Sequence, residues 1–308
     1  MPVLVPSDLV IGVDVGGTKI AAGAVDRRGA ITAARERTTP LSSEEELLAA
    51  LEGLVEGISD EVGGVAAIGF GIPSTIDQRA GRAHSSVHIP LAGVDLRSRM
   101  EQRFGLPVAM DNDGNAAAVA EWQLGAGSGT RHMVMLTLGT GIGGGLILDG
   151  RPYRGSVGAG AELGHMVLKY DGPPCGGSCE GRGHFETLAS GTAADAVARS
   201  VIEPDATAHD LVRRAAGDDR HAREALARVG RILGAGLVSL VNIFNPEVIV
   251  LGGGFGEAGD LLFEPAREVV AQEALSPARE LVRIVPAQLG SEAGLIGAGL
   301  IAFEALDG

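Results

Sequence analysis

The sequence predicts an α/β protein of two similar lobes with a cleft between them. Two glycine-rich hairpins, IGVDVGGTKIAAGAV (Ile11 to Val25) and VMLTLGTGIGGGLIL (Val134 to Leu148), share one layout of apolar strand, tight Gly/Thr turn and second apolar strand. Strand-like and helix-like segments alternate along the rest of the chain, the pattern of an α/β fold. At 308 residues the chain is also long enough for two sizeable cores.

In order, the first hairpin leads into a third strand around Ile31 to Thr38. From Glu44 to Ile58, Leu47, Leu48, Leu51, Leu54, Val55 and Ile58 fall on one helical face. Val65 to Gly71 reads as a buried strand ending at a Gly-Ile-Pro turn. Leu96, Met100 and Phe104 mark a short helix, Leu106 to Met110 a strand, and a helix starts near Asp113 and runs through Trp122. The second hairpin opens the second lobe. A Gly/Pro/Cys-rich loop spans Asp171 to Gly183, and helices fill Ser190 to Ile202 and Arg220 to Asn242. Glu247 to Leu251 is a strand running into Gly252, Gly253 and Gly254. A helix, a strand at Leu281 to Val285 and a Gly/Ala-rich helix close the chain. The expected division is a small lobe of residues 1–114 plus 294–308 and a large lobe of 115–293 carrying the Cys-rich loop.

Hydrophobic residues make up 45% but aromatics only 3%, so the cores rest on Leu, Val, Ile and Ala. The net charge of −14 disfavours a nucleic-acid partner, since no basic run offsets it. The N-terminus lacks the basic start and long apolar core of a signal peptide. Gly or charge interrupts the apolar stretches short of the ~18 residues of a membrane span, so no membrane partner is expected. Cys175 and Cys179 are the only cysteines, which is no disulfide framework, and the expected compartment is the cytoplasm.

The hairpin turns are candidate anion sites. Gly16, Gly17 and Thr18 form the first, with Lys19 directly after; Gly139, Thr140, Gly141 and Gly143 form the second. Glycine lets backbone N–H groups approach a ligand, and rows of them bind phosphate. Two such turns suggest two lobes gripping one polyphosphate. Neither fits GxxxxGK[ST] or a GxGxxG turn between strand and helix. Asp14 lies inside an apolar strand, where a carboxylate is costly unless paired or near a cation.

Two further segments carry chemistry. In Met110 to Glu121, Asp111, Asn112, Asp113 and Asn115 stand at a strand end before a helix. One helix cap needs one such residue, not four. A carboxylate there is a candidate acceptor for the proton of an attacking hydroxyl. In Gly160 to Glu186, His165, Cys175, Cys179 and His184 give H-x9-C-x3-C-x4-H. Zinc takes four tetrahedral S/N ligands at short loop spacings, and a closed four-ligand site is structural. Glu162 and Glu186 bracket the motif as potential partners of a polyol.

Together DVGGTK, DND-x-N, LGTGIGGG, ELGH, the Cys-rich loop ending in Glu, ASGT and LGGG resemble the ROK family (repressors, open reading frames, sugar kinases), most closely its bacterial glucokinases, from Ile11 to Ala302. The resemblance implies the two-lobed actin-like ATPase (ribonuclease H-like) fold and ATP-dependent phosphorylation of a sugar hydroxyl. It makes Asp113 the catalytic base and Asn112, Glu162, His165 and Glu186 sugar contacts, with His165 binding zinc as well. It assigns Asp14 to orienting Mg²⁺, Gly17, Thr18, Thr140 and Gly141 to the phosphates, and Gly253 and Gly254 to the border of the adenosine. A homodimer or homotetramer is expected.

Three departures stand out. The loop often reads CxCGxxGCxE in the family; here the first gap is longer and His184 replaces a cysteine, leaving a Cys2His2 set. Gly114 replaces a usual alanine. His88 lies where related glucokinases often carry asparagine, which bears on which sugar is taken. Kinases for fructose, N-acetylglucosamine or N-acetylmannosamine remain alternatives. A sugar-sensing repressor is disfavoured, because only ten residues precede Ile11, too few for a helix-turn-helix domain, and the candidate base is intact.

Overall fold

The computed structural model describes residues 8–307 except Arg79, Val87, His88 and Ser178, and leaves the side chains of residues 84–86 aside. His88 therefore lies outside the described residues.

In chain order the elements are β1 (Leu9–Val15), β2 (Lys19–Asp26), β3 (Ile31–Thr38), α1 (Glu44–Val62), β4 (Ile68–Ile72), β5 (Ser74–Asp77), β6 (Arg82–Ser86), α2 (Leu96–Phe104), β7 (Val108–Asn112) and α3 (Asp113–Leu124). There follow β8 (Met133–Leu138), β9 (Ile142–Leu148), β10 (Arg151–Pro152), α4 (Phe185–Ala189), α5 (Gly191–Val201), α6 (Ala208–Ala216), α7 (Arg220–Phe244), β11 (Val248–Gly252), α8 (Asp260–Glu273), α9 (Ala278–Leu281), β12 (Arg283–Pro286) and α10 (Ala293–Asp307). The β5–β6 hairpin, α4 and α6 were not expected. β5 and β6 are short, α4 has five residues, and α6 follows a Pro- and Asp-containing turn, so none offers a long periodic signal.

The chain divides into two compact units: residues 1–128, 152–161 and 291–308, and residues 129–151 and 162–290. Each is built on a five-stranded sheet, ordered β3-β2-β1-β4-β7 in the first and β10-β9-β8-β11-β12 in the second. In both, an antiparallel hairpin is joined by parallel strands on the side of its first strand. The duplicated hairpin of the sequence is thus the visible part of a duplicated topology.

In the first unit, α1 starts at a Ser43 N-cap, whose side chain accepts the Glu46 amide, and stops at Gly63 in the left-handed region (φ 79°). It buries the six residues read from the sequence, with Ala50, against the β1–β4 core. Truncating one such leucine to alanine costs about 2–5 kcal/mol. α10 packs on the sheet itself by backbone approach. A Cβ on Gly12 would lie 2.1 Å from the Leu295 carbonyl oxygen, and one on Gly69 would lie 1.8 Å from that of Ala298. These glycines let a small-residue helix settle directly onto β1 and β4.

In the second unit, α7 is the long core helix, packed on α8, α6, α4 and α5. Among the described residues it is also the one helix long and apolar enough to cross a membrane by length and composition, although Gly230, Arg231, Gly234 and Gly236 interrupt it. Half of its most apolar window is buried inside the structure, as for the core helix of a folded domain.

Candidate active site

The strand ends of the first unit bring the DND segment and the first glycine turn together. β1 pairs with β4 in parallel and β4 with β7, so Asp14, Gly71 and Asp111 lie in one row across the sheet. Gly71 lies beside both Asp14 and Asp113: a Cβ there would stand in ordinary contact, 3.6 Å from Asp113 Cα and 3.9 Å from Asp14 Oδ1. Asp14 also abuts the start of α10 at Gly294. Burial, then the nearby Asp113 charge, push the Asp14 carboxyl up to about 7, against the pull of Lys19. The first turn closes with the Gly16 amide donating to the Lys19 carbonyl at 2.9 Å. Thr39 Oγ1 donates to the Gly16 carbonyl at 2.7 Å, and the Thr39 amide to the Thr18 carbonyl at 2.9 Å. Thr18 and Lys19 are exposed, and Lys19 Nζ pairs with Glu36 at 2.6 Å.

The four polar residues at the start of α3 have divided their work. Asn112 is the cap: its Oδ1 accepts the Gly114 amide at 2.8 Å and the Asn115 amide at 3.3 Å. Asp111, 1% exposed, accepts from the Asn112 amide at 2.8 Å, Asn115 Nδ2 at 3.0 Å and Arg154 Nε at 2.5 Å. Asp113 stands at the first helical position and is half-buried, its Oδ1 accepting the Gly114 amide at 2.8 Å.

In the second unit, Gly139 opens the other glycine turn, its amide donating to the Gly141 carbonyl at 3.0 Å. The start of α5 is tied to the same turn: the Gly191 amide donates to the Gly139 carbonyl at 2.8 Å and the Thr192 amide to that of Thr140 at 3.4 Å. Gly141 leaves room for its neighbour, since a Cβ would lie 2.4 Å from Glu186 Oε2 and displace it. That oxygen accepts the Ile142 amide at 3.3 Å. Gly253, at φ 82°, brings the end of β11 against Leu138, where a Cβ would stand 2.4 Å from the carbonyl oxygen. A cavity of ≈560 Å³ is bounded by Gly139, Thr140, Gly191 and Gly254, walled by Val212 and Phe255, and edged by Asp195 and His209. The sequence reading missed Asp195, His209, Val212 and Phe255. The α6 residues carry no motif, and ASGT was the nearest signal.

His165, Cys175, Cys179 and His184 converge, with one ligand atom from each lying within 4.8 Å of all the others. The two Nδ1 atoms are 3.1 Å apart, His165 Nδ1 to Cys175 Sγ is 3.8 Å, and His184 Nδ1 to Cys179 Sγ is 3.6 Å. A zinc tetrahedron with Zn–N of about 2.0–2.1 Å and Zn–S of about 2.3 Å has edges of roughly 3.3 to 3.8 Å, so the donor set fits that ion. The loop holds this shape through hydrogen bonds from the Cys175 amide to the Gly181 carbonyl at 2.8 Å and from the Gly183 amide to the Pro173 carbonyl at 2.7 Å. Glu186, on α4, accepts from Cys175 Sγ at 3.0 Å. Burial and Glu186 hold the Cys175 thiol up, to about 12, which a bound dication would reverse. Glu162 directly precedes the Leu163–His165 turn.

Residues 10–305 match the ROK family. This chain belongs to that family. It is 35% identical to the glucokinase of Streptomyces coelicolor over 96% of this chain and 98% of that protein. Among solved structures, a ROK hexokinase from Thermus thermophilus is 37% identical, with TM-score 0.84, over 97% of this chain and 100% of the other. A ROK glucokinase from Streptomyces griseus, crystallised with glucose and AMPPNP, is 34% identical with TM-score 0.83 over 96% and 99%. The chain accordingly has the two-lobed actin-like ATPase fold of ROK sugar kinases.

Proposed function

We propose that this chain is an ATP-dependent glucokinase, transferring a phosphoryl group to the 6-hydroxyl of glucose. The observation that carries the reading furthest is the crowding of Asp14 and Asp113, with the Asp14 carboxyl pushed up to about 7. Two acids side by side at strand ends favour a bound cation and a proton acceptor. The glucokinase relatives, similar over nearly the full chain, support the choice of sugar.

In this reading Asp113 accepts the proton of the attacking hydroxyl, and Asn112, Glu162, His165 and Glu186 hydrogen-bond the sugar. Asn112 would offer the second hydrogen of Nδ2, which already donates to the Ser74 carbonyl at 3.4 Å, its Oδ1 being engaged by α3. The glycine turns Gly16–Thr18 and Gly139–Gly141, with Lys19, hold the phosphates, and Gly253 and Gly254 border the adenosine beside the second-unit cavity. Asp14 would hold Mg²⁺, whose chemistry is to spread the charge of the transferring phosphoryl group. The Cys2His2 set would hold a structural zinc that fixes His165 and Glu186. Most of the rate enhancement comes from aligning hydroxyl, base and phosphate. The reading includes a homodimer or homotetramer in the cytoplasm and, at net charge −14, no nucleic-acid partner.

The test is a panel of sugars with ATP and Mg²⁺. Glucose should give the highest kcat/KM. A higher value for fructose, N-acetylglucosamine or N-acetylmannosamine would move the substrate assignment, and phosphorylation of none of them would overturn the kinase reading.

A further inference from the structure

We propose that Arg154 is a positioning residue for the first turn of α3, and through it for Asp113; its effect on turnover rests on the kinase reading above. Asp111 is almost wholly buried, and among the described residues Arg154 is the cation paired with it. The two oxygens of this carboxylate face different tasks. Oδ2 takes the Arg154 Nε–H at 2.5 Å. Oδ1 takes the amide of Asn112 and the side-chain amide of Asn115, the residues on either side of Asp113 and Gly114. Fixing one oxygen fixes the plane of the group. That in turn fixes the cap residue and the first turn between them.

Arg154 is itself held. Its Nη2 reaches Glu304 of α10 at 3.4 Å, so the guanidinium is braced between a helix already seated on the sheet and the carboxylate it orients. A guanidinium presents its donors in a rigid fork, which an ammonium does not reproduce. Without it, Asp111 would be a buried charge with no counter-charge, and such a group takes up a proton or swings toward water. Either change releases the two Oδ1 contacts. A cavity of ≈400 Å³, bounded by Arg154, Glu304, Arg97 and Glu101, lies alongside. A shorter or neutral side chain at position 154 therefore meets open polar space, and its consequence is lost orientation more than lost packing.

The experiment compares R154M, R154K, D111N and D111N/R154M with the unaltered protein. Turnover with sugar and ATP is read beside thermal unfolding and amide exchange across residues 112–118. R154M should lower kcat 10- to 100-fold with ATP KM within twofold. Exchange at Gly114 and Asn115 should quicken at least tenfold, while α1 keeps its protection. R154K should recover part of kcat. In the double variant, where the buried charge is gone, thermal stability should return while kcat stays low. A kcat within twofold of the unaltered protein in R154M, or a kcat that recovers in step with stability in the double variant, would reduce the pair to charge neutralisation and overturn the proposal. Should R154M fail to fold, R154K and the double variant carry the same comparison. If the unaltered protein phosphorylates no sugar, the kinase reading fails alone; unchanged exchange at Gly114 and Asn115 in R154M or R154K then overturns the positioning claim by itself.

Discussion

Cys175 Sγ stands 3.0 Å from Glu186 Oε1. The other oxygen of the same carboxylate accepts the Ile142 amide, just beyond the second glycine turn. One side chain therefore connects the Cys/His loop to the strand that follows a candidate phosphate-binding turn. Loosening the loop therefore reaches the turn through Glu186, beside the direct contact of Gly164 with the Ile142 backbone.

Cys179→Ser should accordingly lower metal content from one zinc per chain and raise sugar KM, with a smaller rise in ATP KM. Structural zinc supplies folding free energy to loops with little apolar content of their own. Elemental analysis paired with kinetics measures both effects. A metal-free protein with full activity, or a Cys179→Ser variant with unaltered sugar KM, contradicts the link.

Gly141→Ala places a methyl group against the Glu186 carboxylate, 2.4 Å from Oε2 before any relaxation. The carboxylate must turn away and give up the Ile142 amide. ATP KM should rise and kcat fall so that kcat/KM drops by about tenfold, a loss of ~1.4 kcal/mol in transition-state stabilisation. The fold should persist, since the obstacle is a side chain and not backbone. Kinetics at wild-type level would mean that Glu186 moves aside freely.

Asp14 gives a dependence on pH. Its carboxyl is pushed up to about 7 by burial and by Asp113, well above its ordinary value. In the unfolded chain it ionises near pH 3.9, so between about pH 4 and 7 the folded state binds the extra proton and stability falls as pH rises. Below that window the cost is absent; above it the cost is complete. Asp14→Asn should therefore raise the Tm of the metal-free protein at pH 8 and leave it nearly unchanged at pH 4. Removing the Lys19 charge with Lys19→Met should push the Asp14 carboxyl higher still, moving the acid limb of the kcat profile upward. A pH-independent Tm difference for Asp14→Asn would count against this assignment.

Asp113→Asn should abolish phosphoryl transfer while sugar binding and Tm hold close to those of the parent. The helix keeps its cap, because Asn112 receives both first-turn amides and Asp113 only shares that of Gly114. The comparison is of turnover against equilibrium sugar binding; near-normal turnover would remove Asp113 from the role of base.

Much of this was legible in the residues. The hairpins announced themselves because glycine is conspicuous in an apolar strand, and the ligand quartet because both cysteines of the chain lie within it. α1 followed from six apolar residues at helical spacing. Arg154 was not legible: it is one arginine in a Gly-rich stretch, and its partner Asp111 lies 43 positions upstream. The bound between capping and chemistry in DND-x-N was equally hidden, since Asp, Asn and Asp serve either purpose and only hydrogen-bond geometry separates Asn112 from Asp113. His209 and Val212 reach the second-unit cavity by the fold of α6, for which no periodic run prepared the reader.

The glycines that seat α10 on β1 and β4 have a consequence for synthesis on the ribosome. Gly12 and Gly69 are made more than 200 residues before the helix that covers them, Ala293–Asp307. Between those events lies the whole second unit, whose residues 129–151 and 162–290 are complete beforehand. The first sheet must therefore wait, with one set of contacts unmade, while the second unit can close its own core. Synthesis from the N-terminus onward therefore supplies every residue of the second unit before the last segment of the first, 291–308.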